Sequence, residues 1–159
     1  MSARRPRGVD DAQWRDWMWQ MRHRIRTAAD LAQWVRPPED ETRAIDALGE
    51  RFHFVITPYY ASLLDPDDAD CPLRRQVVPR LAECDDPRGL ADPLDEVAHS
   101  PVKNVIHAYP DRIAFCVNNE CALYCRFCLR KRMLGAGDWA MKRREIEEGL
   151  AWIRRTPAI

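Results

Sequence analysis

The chain has no net charge: 25 basic and 25 acidic residues balance over 159 positions. That removes the simplest reason to propose nucleic acid as a partner, because phosphate-backbone binders carry a basic excess. It has no apolar run near the ~20 residues that span a bilayer, so no membrane association is expected. The opening stretch, MSARRPRGVDDAQW, is basic but lacks the apolar core of a secretory signal, and a cytoplasmic location is expected. Lysine is scarce, with only Lys103, Lys131 and Lys142 among the basic residues, which limits where a Schiff base could form. No internal repeat, low-complexity tract or Gly-Gly pair occurs.

What is present falls into three stretches: a helical region over 1–51, an irregular proline-rich segment over 52–110, and a βα unit over 111–159. Trp14, Trp17, Met18, Met21 and Ile25 are spaced as one apolar stripe of a single helix, opened by Asp10 and Asp11. On that spacing Trp14 and Trp17 belong to the core and Trp19 to another face. Thr27 with Asp30 reads as a capping box for a short helix through Leu31, Trp34 and Val35. Pro37-Pro38 stops it, and a third helix follows over Glu39–Leu48 with Gly49 near its end. Eight prolines between 52 and 110 argue for a wrap over another surface, with a short helix over 73–77. Residues 112–117 are mostly apolar and bounded by turn signals, which predicts a strand buried on both faces of a parallel sheet. After Gly135-Ala136-Gly137, Ile146, Leu150 and Ile153 place a helix over 141–155. Strand, long loop and helix make one unit of an α/β fold, in which functional groups sit on loops at the carboxyl ends of strands.

Three cysteines occupy that loop: Cys121, Cys125 and Cys128, spaced by three and then two residues. Such crowding in a cytosolic chain suggests a metal over a disulfide framework. Three thiolates from one loop can hold a 4Fe–4S cluster with one iron left open for a further ligand. Structural zinc with His99 or His107 as fourth ligand, a redox pair at Cys125 and Cys128, and three ordinary buried cysteines remain as alternatives.

The motif resembles the radical S-adenosylmethionine enzymes, with Phe127 as the aromatic before the last cysteine. More narrowly it resembles the lysine 2,3-aminomutase family. The resemblance rests on Tyr109-Pro110-Asp111-Arg112-Ile113, the cysteine loop with Tyr124, Arg126 and Arg130-Lys131-Arg132, and a glycine at 135. Upstream it is supported by Trp14-Arg15-Asp16-Trp17-x-Trp19-Gln20, Ile56-Thr57-Pro58-Tyr59-Tyr60, Arg74-x-Gln76-x-x-Pro79, Asp92-Pro93-Leu94 and Ser100-Pro101-Val102. It implies the N-terminal portion of a partial α/β barrel. It also implies Cys121, Cys125 and Cys128 as ligands of a 4Fe–4S cluster and Phe127 against the adenosyl part of S-adenosylmethionine. By the same resemblance Arg130 binds the substrate α-carboxylate, and Tyr109 and Arg112 hold pyridoxal phosphate. Without it, Arg112 reads as a strand-edge surface charge and Arg130–Arg132 as a solvated basic run.

The implied activity is cleavage of S-adenosylmethionine to a 5′-deoxyadenosyl radical, followed by pyridoxal phosphate-dependent migration of an amino group from the α- to the β-carbon of lysine, glutamate or a similar amino acid. Implied partners are the amino acid, an electron donor such as flavodoxin or ferredoxin, and a homo-oligomeric copy. The sequence departs from the family at Ala108, where an arginine is usual, and at Phe127, often histidine. The family's glycine-rich motif, imine-forming lysine and distal acidic residues have no counterpart here. A truncated chain, unable to catalyse aminomutation alone, is expected. A radical enzyme without pyridoxal phosphate and a non-enzymatic metal-binding module are the other readings.

Overall fold

A computed structural model describes residues 4–49, 52–85, 87–134 and 139–159. The predicted glycine turn at 135–137 lies outside them. Six short helices come first: α1 (Asp11–Arg15), α2 (Trp17–Arg22), α3 (Ala28–Leu31), α4 (Glu39–Leu48), α5 (Pro58–Leu63) and α6 (Pro72–Arg75). A two-stranded sheet of β1 (Val105–Tyr109) and β2 (Arg112–Phe115) follows, and α7 (Arg143–Arg154) comes last. Helices with a small sheet are compatible with part of an α/β fold. No helix of the described residues is long and apolar enough to cross a membrane.

The predicted first helix is two helices, because Asp16 interrupts it. Asp16 ends α1 in an extended conformation, and its carboxylate accepts from the amides of Met18 and Trp19 to start α2. The break resets the helical phase. Trp14 is half-buried, but Trp17 is turned out and is 68% exposed, which corrects its expected place in the core. Thr27 caps α3 as its sequence predicts, accepting from the amide of Asp30 at 3.1 Å. The helix over Glu39–Leu48 has the predicted bounds.

Ile25, Leu31, Val35, Ile45, Phe54, Ile56, Ala61, Leu64, Val77 and Val78 form the core. Each large aliphatic side chain so buried stabilises the fold by about 1.5–3 kcal/mol. Ile25 and Ile56 exchange backbone hydrogen bonds at 2.8 and 3.1 Å, which joins the N-terminal helices to the proline-rich segment. A buried ion pair reinforces that junction. Arg74 of α6 donates to Glu41 of α4 at 2.6 Å with both side chains fully buried, and also to the carbonyl of Arg36 at 3.0 Å.

The predicted strand exists, but its pairing differs. β2 pairs antiparallel with β1 through the tight turn at Pro110-Asp111, with Tyr109 opposite Arg112. β2 is not buried on both faces: Arg112 is exposed, and Ile113, Ala114 and Phe115 are half-buried. The partner strand was hidden because His107, Ala108 and Pro110 look like continuation of the irregular segment. Asn104 in the left-handed region (φ 61°) turns the chain into β1, a conformation that asparagine tolerates better than most residues. α7 lies against this hairpin. A Cβ on Gly149 would meet the Phe115 ring at 2.5 Å, so a larger residue there would have to push the ring aside. Trp152 meets His107 edge-on at 5.3 Å, while Leu150 is exposed.

Replacing Arg74 with methionine leaves the Glu41 carboxylate buried beside an apolar side chain. Urea unfolding of Arg74→Met is expected to show a loss of about 3–5 kcal/mol; an unchanged midpoint and slope would contradict the buried pair.

Candidate cluster and substrate site

The cysteine loop leaves the hairpin at Val117 and is closed at its neck. Met141 donates its amide to the carbonyl of Val117 at 2.8 Å, and Asn119 donates to that of Trp139 at 3.2 Å. The Asn119 side chain, buried in the neck, accepts from the Trp139 amide at 2.6 Å and donates to the carbonyl of Met133 at 3.0 Å. Further along, the loop is sewn to the N-terminal core. Leu123 packs on the core cluster, the amide of Tyr124 donates to Val55 O at 2.8 Å, and that of Arg126 to Gln76 O at 2.7 Å. The Arg126 guanidinium forks onto Glu83, with Nη2 at 2.6 Å and Nε at 3.0 and 3.1 Å from the carboxylate oxygens. Tyr124 is buried, and the Arg126 side chain nearly so.

Cys121, Cys125 and Cys128 are free and half-buried. Cys128 donates its amide to Cys125 O at 3.1 Å in a tight turn, and the Cys121 thiol donates to Leu123 O at 3.0 Å. Burial, then the charges of Cys121 and Cys128, push the Cys125 thiol above its ordinary 9.0. The three sulfurs therefore share one electrostatic neighbourhood, and as a donor set they suit iron. Among the described residues, however, no three His, Cys, Asp or Glu side chains converge to hold a metal ion. That applies equally to the zinc reading. His107 presents its edge to Trp152, and His99 is bonded through Nδ1 to Asp95 O at 2.8 Å.

The other candidate residues divide between two cavities. Tyr109, Arg112 and Arg130 line one of about 420 Å³, together with Glu96, His99 and Ala108. Phe127 and Cys128 line another, of about 590 Å³, with Arg126, Lys131, Glu83 and Cys84. Phe127 is 66% exposed. Arg112 is exposed, lies 5.7 Å over the Tyr109 ring, and donates to its neighbour Asp111 through two bonds of 2.7 Å. That pairing raises the guanidinium's pKa and holds the Asp111 carboxyl below the usual range.

The run Arg130–Arg132 is not a solvated charge stretch. Arg130 pairs with Glu96 at 2.9 Å and Arg132 with the other oxygen of the same carboxylate at 2.8 Å. Lys131 lies 3.7 Å from Glu83. Glu96 is only 1% exposed, so its charge depends on these guanidinium groups. Glu83, Glu96 and Asn119 were not among the candidate residues. The two glutamates lie 43 and 36 positions from their arginines, and no local pattern marks so distant a pair.

No protein-family model matches the chain. Curated proteins do. A protein of Bacillus subtilis (strain 168) named L-lysine 2,3-aminomutase is 41% identical over 152 residues, covering 95% of this chain and 32% of that protein. One of the same name from Clostridium subterminale is 38% identical over 95% of this chain and 36% of its own length. This chain is a homologue of the L-lysine 2,3-aminomutases. A glutamate 2,3-aminomutase of Clostridioides difficile (strain 630) is also similar, 34% identical over 92% of this chain and 35% of its own. The chain thus spans about a third of the length of the aminomutases it matches, and that third contains the cysteine loop.

Cys125 offers a test of the loop geometry. Its raised pKa means that folding favours the protonated thiol. The resulting stabilisation is complete below pH 9.0 and is lost as pH climbs through the raised value. Because the thiolate is the nucleophile, alkylation of Cys125 by iodoacetamide near neutral pH, followed by mass spectrometry, is expected to be slower than that of a cysteine in an unstructured peptide. Above pH 9.0 the Cys121→Ser/Cys128→Ser pair is expected to accelerate it, because the charges that raise the Cys125 pKa are then removed. Equal rates throughout would contradict the shared neighbourhood.

Proposed function

We infer that this chain carries the cluster-bearing part of a radical S-adenosylmethionine aminomutase that acts on lysine or a similar amino acid. The observation that supports it most is the anchored loop bearing three free cysteines, in a homologue of L-lysine 2,3-aminomutases. Cys121, Cys125 and Cys128 would hold a 4Fe–4S cluster with one iron open to the amino and carboxylate groups of S-adenosylmethionine. When bound, the cluster and S-adenosylmethionine would together supply the radical that starts amino-group migration, and pyridoxal phosphate would supply the carrier for the migrating nitrogen.

The chain's own residues bind and orient. Phe127, exposed beside Cys128, offers a ring face to the adenosyl part. Arg130 is gripped at Nη2 by Glu96, while its Nε is buried with no hydrogen-bond partner. On this reading the Arg130 guanidinium, which lines the same cavity as Tyr109 and Arg112, would fork onto a substrate carboxylate. Tyr109 and Arg112, on the same cavity, would hold the phosphate of pyridoxal phosphate, with Arg112 exchanging exposed Asp111 for it. Ala108 lines that cavity too and offers no charge. This favours, as a second reading, a radical enzyme without pyridoxal phosphate. On the main reading the hairpin and α7 belong to the start of a partial α/β barrel. A cytoplasmic setting, a flavodoxin or ferredoxin as electron source, and a homo-oligomer complete the proposal.

Anaerobic reconstitution with iron and sulfide tests it. A brown protein with about four irons per chain is expected, whose reduced spectrum shifts when S-adenosylmethionine is added. Each Cys→Ser change at 121, 125 or 128 should abolish that shift. A colourless protein holding one tight zinc would sink the radical reading in favour of a structural metal module.

A further inference from the structure

The cavity that Tyr109, Arg112 and Arg130 share has a further polar wall, His99. The segment before the hairpin holds that residue on two sides. Asp95 sits in the left-handed region (φ 49°), and its carbonyl accepts twice from His99, from the backbone amide at 3.3 Å and from Nδ1 at 2.8 Å. The carbonyl of His99 in turn accepts from the amide of His107 in β1 at 2.8 Å. The ring is thus pinned to its own turn and the backbone to the sheet.

The bond at Nδ1 fixes the tautomer. A carbonyl oxygen only accepts, so Nδ1 carries a proton. In the neutral ring Nε2 then holds a lone pair and repels an anion; in the imidazolium it is an N–H donor. Nε2 has no protein partner among the described residues. The two guanidinium groups of the cavity, by contrast, already meet carboxylates. Arg112 is held by Asp111 through two bonds of 2.7 Å, and Arg130 by Glu96 at 2.9 Å. Glu96 also holds Arg132 at 2.8 Å. Tyr109 lies under Arg112, and His107 turns its ring to Trp152. Ala108 brings no charge. Among the described residues lining the cavity, protonated His99 is therefore the cation that no carboxylate claims.

We propose that His99 is the proton-gated anion contact of this cavity, its Nε2–H donating to the phosphate group of the ligand that the cavity takes. This role deepens the reading of the cavity as a pyridoxal phosphate site and rests on it: His99 supplies the charge that Ala108 does not. A charged donor binds an anion more strongly than a neutral one, and histidine gains or loses that charge between about pH 5 and 8. Anion affinity is highest with the ring protonated and falls as pH rises through the His99 titration. By linkage, a bound anion raises the pH at which His99 loses its proton.

NMR of the full, metal-free chain tests this, with the imidazole signals of His99 and His23 followed together. His23 is also exposed and is bonded through Nδ1 to a carbonyl, that of Trp19 at 2.8 Å, but it lies outside this cavity. It reports any general ionic effect. The probes are inorganic sulfate, whose charge is constant across the titration, and pyridoxamine 5′-phosphate, which cannot form an imine with a lysine. Pyridoxamine, lacking the phosphate, is the control. Both anions are expected to shift His99, raise its titration midpoint and leave His23 unmoved, while pyridoxamine does neither. His99 is exposed, so its replacement spares the core. His99→Ala should weaken binding of pyridoxamine 5′-phosphate about tenfold. His99→Gln, a neutral donor, should recover part of that affinity, and its binding of sulfate should lose the dependence on pH. Equal shifts at both histidines, a His99 midpoint that neither anion moves, or affinities unchanged in His99→Ala would overturn the proposal. A shift by sulfate without binding of pyridoxamine 5′-phosphate would keep His99 as the contact for another phosphate ester and sink the pyridoxal phosphate reading instead.

Discussion

The Arg126–Glu83 fork, with the two backbone bonds beside it, governs the geometry of this molecule. A loop of three cysteines has no reason of its own to hold a shape. Here alternate residues are given to the core: Tyr124 bonds to Val55, and Arg126 bonds to Gln76 by its amide and to Glu83 by its side chain. Cys125 is held between those two anchors. The thiols inherit their positions from helices and turns laid down 40 to 70 residues earlier, which explains why a functional loop arrives with so long an N-terminal region. The ion pair is nearly buried on the arginine side, so the guanidinium cannot relax into water without leaving Glu83 behind.

A second carboxylate organises the opposite end of the loop. Glu96 gathers Arg130 and Arg132, fixing the run that follows the cysteines against the segment that precedes the hairpin. Basic side chains that would repel one another in isolation thus become a rigid wall. The two glutamates divide the loop's cations: Arg126 and Lys131 go to Glu83, Arg130 and Arg132 to Glu96. Phe127 and Cys128 end on one cavity and Arg130 on another.

Much of this was legible in the sequence where the signal is local. The cap at Thr27, the helix over Glu39–Leu48 and the cysteine spacing depend on residues within a few positions, and the family motifs pointed to Tyr109, Arg112, Phe127 and Arg130, which lie on two cavities. What escaped depends on long-range partners or on a single phase change. Asp16 looked like one more polar residue in a helical stripe, yet its carboxylate restarts the helix and turns Trp17 outward. The run 112–117 looked doubly buried because its apolar residues are contiguous, but its partner is the preceding strand across Pro110-Asp111. Glu83 and Glu96 carry no sequence mark of the arginines they meet.

The cysteine loop is folded onto the N-terminal core through Tyr124 and Arg126. Amide hydrogen exchange of the metal-free chain tests it most directly. The amides of Tyr124 and Arg126, bonded to Val55 and Gln76, should exchange as slowly as those of Ile25 and Ile56 in the core. Exchange at the rate of an unstructured loop would contradict the account.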